Sequence, residues 1–311
     1  MSGYVPPKPT LAMRLEYAAL RVASTLVRPL GFFGASRVGA MIGALGWRPL
    51  RIRADRVERA VRACFPEFSD ARVREVAKGS YASMGRMAME IIYLSKATGE
   101  SVLDKFVEPE GWELIERQKA SGKGVLLVAA HFGNWELSGA YVAARTGQIE
   151  GIAMHMANPY SDAFLKRTRE RLGTTVTFDE DAVRRIPRVL RDGNIVALVS
   201  DQGAKGLAAT YANFFGRPAR TPRGAAVFAL RNGPPLLFFA AVRQPDARYK
   251  IIVREVPIAN TGDRERDVDQ TVQNYTDVIE QFVREYPEQY FWQHRRWKRQ
   301  PPDTPPHLRE P

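Results

Sequence analysis

The sequence predicts an α/β fold: a central, largely parallel mixed sheet flanked by helices, with an N-terminal amphipathic membrane-associated helical segment. Three observations predict it. Aliphatic runs of strand length alternate with helical periodicities from Gly124 onward, the pattern of a parallel sheet joined by crossover helices. The 311 residues hold no internal repeat, and that length supports one large domain or two small ones, with ample core. The segment Leu11–Trp47 is apolar yet broken at intervals by arginine.

Residues 1–10 are Pro-rich and expected to be disordered, and no cleavable signal pattern follows them. Arg14, Arg21 and Arg28 recur every seven residues, so in a helix they form one stripe. The uncharged runs Pro29–Ser36 and Val38–Trp47 fall short of the roughly 20 residues needed to cross a bilayer. A helix lying in the interface, its arginines among anionic headgroups, fits this pattern; a core-packing amphipathic helix is the other reading. The resulting division is 1–48 for the membrane-associated segment, 49–300 for the α/β domain and 301–311 for a disordered, Pro-rich tail.

A basic stretch with Arg48, Arg51, Arg53, Arg56, Arg59 and Arg62 follows, then helical periodicity from Asp70 to Leu94. Beyond the strand at Gly124–Ala130, further strands are expected at Gly151–Met154, Thr175–Phe178, Asn194–Ser200, Pro235–Arg243 and Tyr249–Val256. Helices are expected at Ser161–Leu172, Ala182–Asp192, Pro222–Asn232 and Val268–Tyr286.

His131-Phe132-Gly133-Asn134-Trp135-Glu136 sits where the first of these strands becomes a helix. Such junctions hold reactive groups at the carboxyl edge of a sheet. His131 and Glu136 would lie about 140° apart on one continuous helix, so a turn must intervene, and Gly133 can make it. Asn134 then suits the N-cap, with Glu136 in the first turn where the helix dipole favours its anion. One reading is a His–Glu dyad acting as general base; the other is a structural histidine beside a solvated glutamate. Asp201-Gln202 ends a second strand at the same edge.

Composition narrows the chemistry. The net charge of +12 points to anionic partners such as acidic headgroups, phosphorylated substrates or nucleic acid, although the excess of 36 Arg over 10 Lys also fits a codon bias. Cys64 is the single cysteine, which excludes an internal disulfide and suits a reducing compartment. Its apolar neighbours mark it as a buried small hydrophobe. There is no Gly-x-Ser-x-Gly elbow, no phosphate-binding glycine loop and no dinucleotide fingerprint. Four histidines and one cysteine offer no metal cluster. A base, carboxylates and many arginines remain, a kit for taking a proton from a hydroxyl beside a bound anion or oxyanion.

Two further motifs are dense. In Asn213–Gly224, Thr221 before Pro222 fits a helix N-cap. Arg217, Arg220 and Arg223 around that N-terminus would make an anion site, with Phe214 and Phe215 lining an apolar slot; a core-packing turn with surface arginines is the alternative. Tyr286–Lys298 interleaves aromatics and cations, which suits stacking on nucleic acid, a membrane belt or a packed edge with cation–π contacts.

Taken in order, Cys64-Phe65-Pro66, the HFGNWE motif, Arg169 before Gly173, Asp201-Gln202, Phe214-Phe215-Gly216 with Thr221, and Trp292…Arg296-Trp297-Lys298 resemble the bacterial lipid A late acyltransferases. They are similar also to the relatives that acylate phosphatidylinositol mannosides, within the glycerophosphate acyltransferase superfamily. The likeness spans roughly residues 14 to 300 and implies an α/β domain with a cleft for an acyl chain. It implies an O-acyltransferase at the cytoplasmic face of the cell inner membrane, with no cofactor beyond a thioester co-substrate on acyl carrier protein or coenzyme A. The implied partners are an anionic membrane lipid surface and a glycolipid acceptor. That acceptor is a lipid A precursor first, with a mannolipid or aminolipid as alternatives. On the matched positions His131 is the implied base, Glu136 its partner, and Arg169 the group that stabilises the oxyanion or holds the acceptor. Asp201 and Gln202 shape the site, and Asn134, Phe214, Phe215, Arg217, Arg220, Thr221 and Arg223 complete the expected substrate contacts. Leu11–Trp47 departs from the cleaner transmembrane anchor usual in the family. A thioesterase turning the same dyad on water is the rival reading. Nucleic-acid binding would leave the strand–HFGNWE–helix unit without a purpose.

Overall fold

The computed structural model describes residues 4–95, 103–203 and 208–311. At its centre is a seven-stranded sheet in the order β1-β9-β8-β2-β5-β3-β4. These strands are β1 (Val107–Glu110), β2 (Val125–Ala129), β3 (Ile149–Ala153), β4 (Thr174–Phe178), β5 (Ile195–Val199), β8 (Leu236–Arg243) and β9 (Tyr249–Glu255). β8, β2, β5, β3 and β4 run parallel, and β9 with its neighbour β1 runs the other way. The fold is therefore the mixed, mostly parallel α/β sheet expected. β2 is buried along its whole length. Leu126 and Val128 enter one core and Val125, Leu127 and Ala129 the other, which is why this strand reads as an unbroken aliphatic run rather than an alternation.

Helices α6 (Trp135–Thr146), α7 (Pro159–Arg171) and α8 (Asp179–Arg191) cross between the parallel strands. α9 (Gly224–Asn232) and α10 (Arg264–Glu285) complete the layer over one face. The short α5 (Trp112–Ala120) contributes Ile115 to the opposite core. β1 and α5 escape sequence recognition because Val107–Glu110 carries Pro109 and two glutamates, poor strand residues that survive at a sheet edge.

Residues 209–222 do not form the turn and helix start expected of them. They make a hairpin, β6 (Ala209–Phe214) and β7 (Arg217–Pro222), closed by Phe215 and Gly216, both with positive φ. Two such residues make the tight turn whose twist matches a hairpin. The helix starts two residues later than expected, at Gly224.

The N-terminal region folds as α1 (Leu11–Leu26) and α2 (Gly31–Trp47), followed by α3 (Ala54–Cys64) and α4 (Asp70–Leu94). α2 lies against α4 along a seam of glycines. A Cβ at Gly39 would meet the Gly85 carbonyl oxygen at 2.3 Å, and one at Gly43 would meet that of Tyr81 at 2.0 Å. Among the described residues no helix is long and apolar enough to cross a membrane. α1 leaves Leu11, Leu15, Val22 and Leu26 exposed.

Both ends of the chain make contacts with the body. The Tyr4 ring stacks on His155, whose other face carries Phe178, each at 3.5 Å between centroids. Within 301–311, read from sequence as a disordered tail, the carbonyls of His307 and Arg309 accept from Arg217 Nη1, and Glu310 pairs with Arg295.

Candidate active site

The register of β2 with β5 sets Ala129 opposite Val199. Two residues further on, His131 and Asp201 meet: Nδ1 and Oδ1 lie 2.7 Å apart. With Asp201 ionised, Nδ1–H donates and Nε2 keeps its lone pair. Asp201 is only 2% exposed. Burial works to raise its carboxyl, but the charge and hydrogen bond of His131 and the cation of Arg296 outweigh this and hold it below the usual range.

Glu136 is not the carboxylate that holds His131. It lies in the first turn of α6 and takes a bidentate pair from Arg169 of α7, Nε to Oε2 at 2.9 Å and Nη2 to Oε1 at 2.6 Å. The Trp135 indole donates to the same Oε1. The expected His131–Glu136 contact gives way because α6 begins at Trp135, which directs Glu136 toward α7 while His131 remains at the strand end. Burial lowers the Arg169 guanidinium, but Glu136 more than compensates and its proton affinity rises.

Asn134 caps α6 as expected, its Oδ1 accepting from Leu137 N at 2.9 Å. Its Nδ2 donates to Glu90 Oε2, which also accepts from the Tyr249 hydroxyl, both at 2.7 Å. Asn134 is fully buried, so it shapes the motif rather than touching a ligand. Gly133 has φ +56 and sits so near β8 that a Cβ would lie 1.9 Å from the Ala241 carbonyl oxygen. Only glycine fits there.

The C-terminal aromatic stretch resolves as a packed edge. Tyr290, Trp292 and Trp297 are buried. Phe291 N donates to the His131 carbonyl and Gly133 N to that of Gln289. Phe291 and Trp135 flank the His131 ring, with centroids 6.0 and 5.0 Å away. His294 joins this wall, a residue whose part the sequence reading missed. Burial first, then the neighbouring cations Lys298 and Arg296 and the His131 side chain, push its imidazole down to about 4 against the pull of Asp201. It therefore stays neutral beside the pair.

The hairpin motif serves this edge instead of forming a ligand slot. Phe214 and Phe215 are buried against Trp297 and Phe65. The buried Arg296 donates to the Arg220 carbonyl and to Thr221 Oγ1, and lies over the Phe214 ring. Arg217 holds the C-terminal carbonyls and Arg223 pairs with Glu265. Thr221 lies in β7, caps no helix and is fully buried. Among the described residues the anion site expected at that helix start is not assembled, because Arg217 turns to the C-terminal carbonyls and Arg223 to Glu265. Gln202 is half-buried beside Asp201.

Trp135, packed against the His131 ring, also lines a cleft of about 610 Å³, including solvent at its mouth, whose described lining does not include His131 or Asp201. Its walls are mostly apolar: Ala140, Ile149, Ile152, Leu172, Val199 and Phe239 among them. Trp135, Glu136 and Arg169 stand along it, and Gly139 and Gly151 keep it open by lacking side chains. Among the described residues no three His, Cys, Asp or Glu side chains converge to hold a metal ion. An oriented imidazole can take a proton from a hydroxyl, and a neighbouring apolar cleft can hold an apolar group.

The family described as bacterial lipid A biosynthesis acyltransferase matches residues 10–299. The chain is 27% identical over 271 residues to the lipid A biosynthesis lauroyltransferase of Escherichia coli (strain K12), covering 86% of this chain and 87% of that protein. It is 26% identical over 287 residues to the lipid A biosynthesis palmitoleoyltransferase of the same strain, covering 88% and 86%. A phosphatidylinositol mannoside acyltransferase of Mycobacterium tuberculosis (strain ATCC 25618 / H37Rv) is 26% identical over 165 residues, 51% of each chain.

Proposed function

Because the chain belongs to the bacterial lipid A biosynthesis acyltransferase family, we propose that it carries a fatty acyl group from a thioester, on acyl carrier protein or coenzyme A, to a hydroxyl of a lipid A precursor. The observation that supports this reading is the His131–Asp201 pair, with Trp135 bridging from the His131 ring to the lining of the apolar cleft. The acceptor hydroxyl gives its proton to His131 Nε2 as its oxygen attacks the thioester carbonyl. Asp201 keeps the ring in the required tautomer and stabilises the imidazolium. Collapse of the tetrahedral intermediate breaks the C–S bond, and the leaving thiolate takes the proton from His131. No cofactor beyond the thioester is needed.

Glu136 anchors Arg169, whose Nε and Nη2 are spent on it. Nη1 is left to face the developing oxyanion or the acceptor. The purified protein, given an acyl thioester with and without a lipid A precursor, should yield the acylated glycolipid by mass spectrometry. Free fatty acid at the same rate in both reactions would make it a thioesterase. Transfer confined to a mannolipid or aminolipid would keep the chemistry and change the acceptor.

The same proposal seats the enzyme on a membrane, at the cytoplasmic face of the inner membrane, through α1. With 100° per residue, Leu11, Leu15, Val22 and Leu26 fall within about 60° of one another, and Arg14 and Arg21 lie roughly 60–80° beyond one edge of that stripe. An apolar stripe edged by cations suits an anionic lipid surface. Changing those four residues to serine should abolish flotation with anionic vesicles. Unchanged flotation would remove α1 from the attachment.

A further inference from the structure

A second cavity lies on the far side of α7 from the transfer centre. On α7, Arg167 and Arg171 are four residues apart and share a face, while Arg169, two residues from each, points the opposite way into its pair with Glu136. Arg167 and Arg171 line a groove of about 560 Å³ between α7, α1 and the end of α4, together with Arg21, Ser24, Ser95 and Thr168. Arg171 Nη1 donates to the Ser95 carbonyl and Arg21 Nη1 to the Tyr17 hydroxyl, both at 3.3 Å. No carboxylate is among the described lining residues, and none of the three guanidiniums is ion-paired with a described residue. Elsewhere α7 and its neighbours do pair their cations: Lys166 with Glu170, Arg169 with Glu136, Arg185 with Glu150.

Three guanidiniums around one concavity, with no described carboxylate beside them, favour an anion. Their donor forks match the oxygens of a phosphate, which they can take two at a time. We propose that this groove binds a phosphate monoester, carried by the headgroup of the acceptor lipid. This rests on the acyltransferase reading above. The groove is one helix diameter, about 10–12 Å, from Glu136–Arg169, so its occupant must be large enough to place a hydroxyl at His131 and a phosphate across α7. A phosphorylated sugar headgroup meets that requirement, and α1, which supplies Arg21 and Ser24 to the groove, also leaves Leu11, Leu15, Val22 and Leu26 exposed.

The test uses the full chain with Arg21, Arg167 and Arg171 all changed to Gln, beside a control with the exposed Arg191, Arg231 and Arg264 changed to Gln. In detergent micelles, transfer is measured to a phosphorylated glycolipid acceptor and to the same lipid after phosphatase treatment. The groove variant should raise KM for the phosphorylated acceptor roughly ten- to a hundredfold, since charge-assisted hydrogen bonds are lost, with a far smaller change in kcat. KM for the dephosphorylated acceptor should not change, and the control should match the wild type throughout. An unchanged KM for the phosphorylated acceptor overturns the assignment to the acceptor. Flotation with phosphatidylcholine vesicles, with and without phosphatidic acid, then separates the sources. Loss of the phosphatidic acid dependence in the groove variant alone, with acceptor KM unaltered, assigns the groove to membrane phosphate. No difference in either assay overturns the site. If the wild type acylates neither lipid, the acyltransferase reading fails, and flotation still decides whether the groove binds phosphate.

Discussion

Replacing His131 with glutamine removes about 10²–10⁴ of the transfer rate, the usual contribution of a positioned general base, and leaves thermal unfolding near that of the wild type. Glutamine keeps an amide donor for Asp201 but cannot accept the substrate's proton at neutral pH. His131→Ala loses activity equally and costs stability as well, because it strips a hydrogen bond from a buried carboxylate. Steady-state transfer assays with circular dichroism separate the two effects. A glutamine variant with normal turnover would place the base elsewhere.

Arg169→Met destabilises the fold by about 3–5 kcal/mol, the range for removing one partner of a buried ion pair. Glu136 is 8% exposed at its side chain and Arg169 25%, so water does little to replace the lost partner. Methionine retains most of the stem and isolates the charge effect. The double change Arg169→Met with Glu136→Gln should recover most of that loss in denaturant unfolding, since no uncompensated anion remains. Transfer should stay impaired in the double variant, because Nη1 is gone from the cleft. A single variant within 1 kcal/mol of the wild type, on the scale of an exposed pair, would show that the pair contributes little to holding α6 on α7.

The strands that build the centre of the sheet were legible because both of their faces are buried, which leaves aliphatic runs such as Val125–Ala129 without alternation. The Asn134 cap and the turn at Gly133 were legible because each demands a particular residue type. The partner of His131 was not. Glu136 is five residues away and Asp201 seventy, and only the adjacency of β2 and β5 brings Asp201 to the ring. Sequence spacing favours the local carboxylate, whereas sheet order selects the distant one.

The hairpin at residues 209–222 was hidden for another reason. Pro218 and Pro222 argue against a strand, and Thr221-Pro222 imitates a helix start. Both prolines lie in β7, which among the described residues pairs with β6 alone, where a missing donor is tolerated. The aromatic stretch near the C-terminus left three readings open because its composition serves all of them. The contact of Tyr290 and Phe291 with the His131 segment is a tertiary fact with no local signature.

The most direct test is the nitrogen NMR spectrum of the His131 ring, recorded where the imidazole is neutral. The wild type should carry its proton on Nδ1 and leave Nε2 bare. Asp201→Asn should release that preference and Glu136→Gln should leave it untouched. A wild-type ring protonated on Nε2, or one whose tautomer follows Glu136 instead of Asp201, would contradict the account.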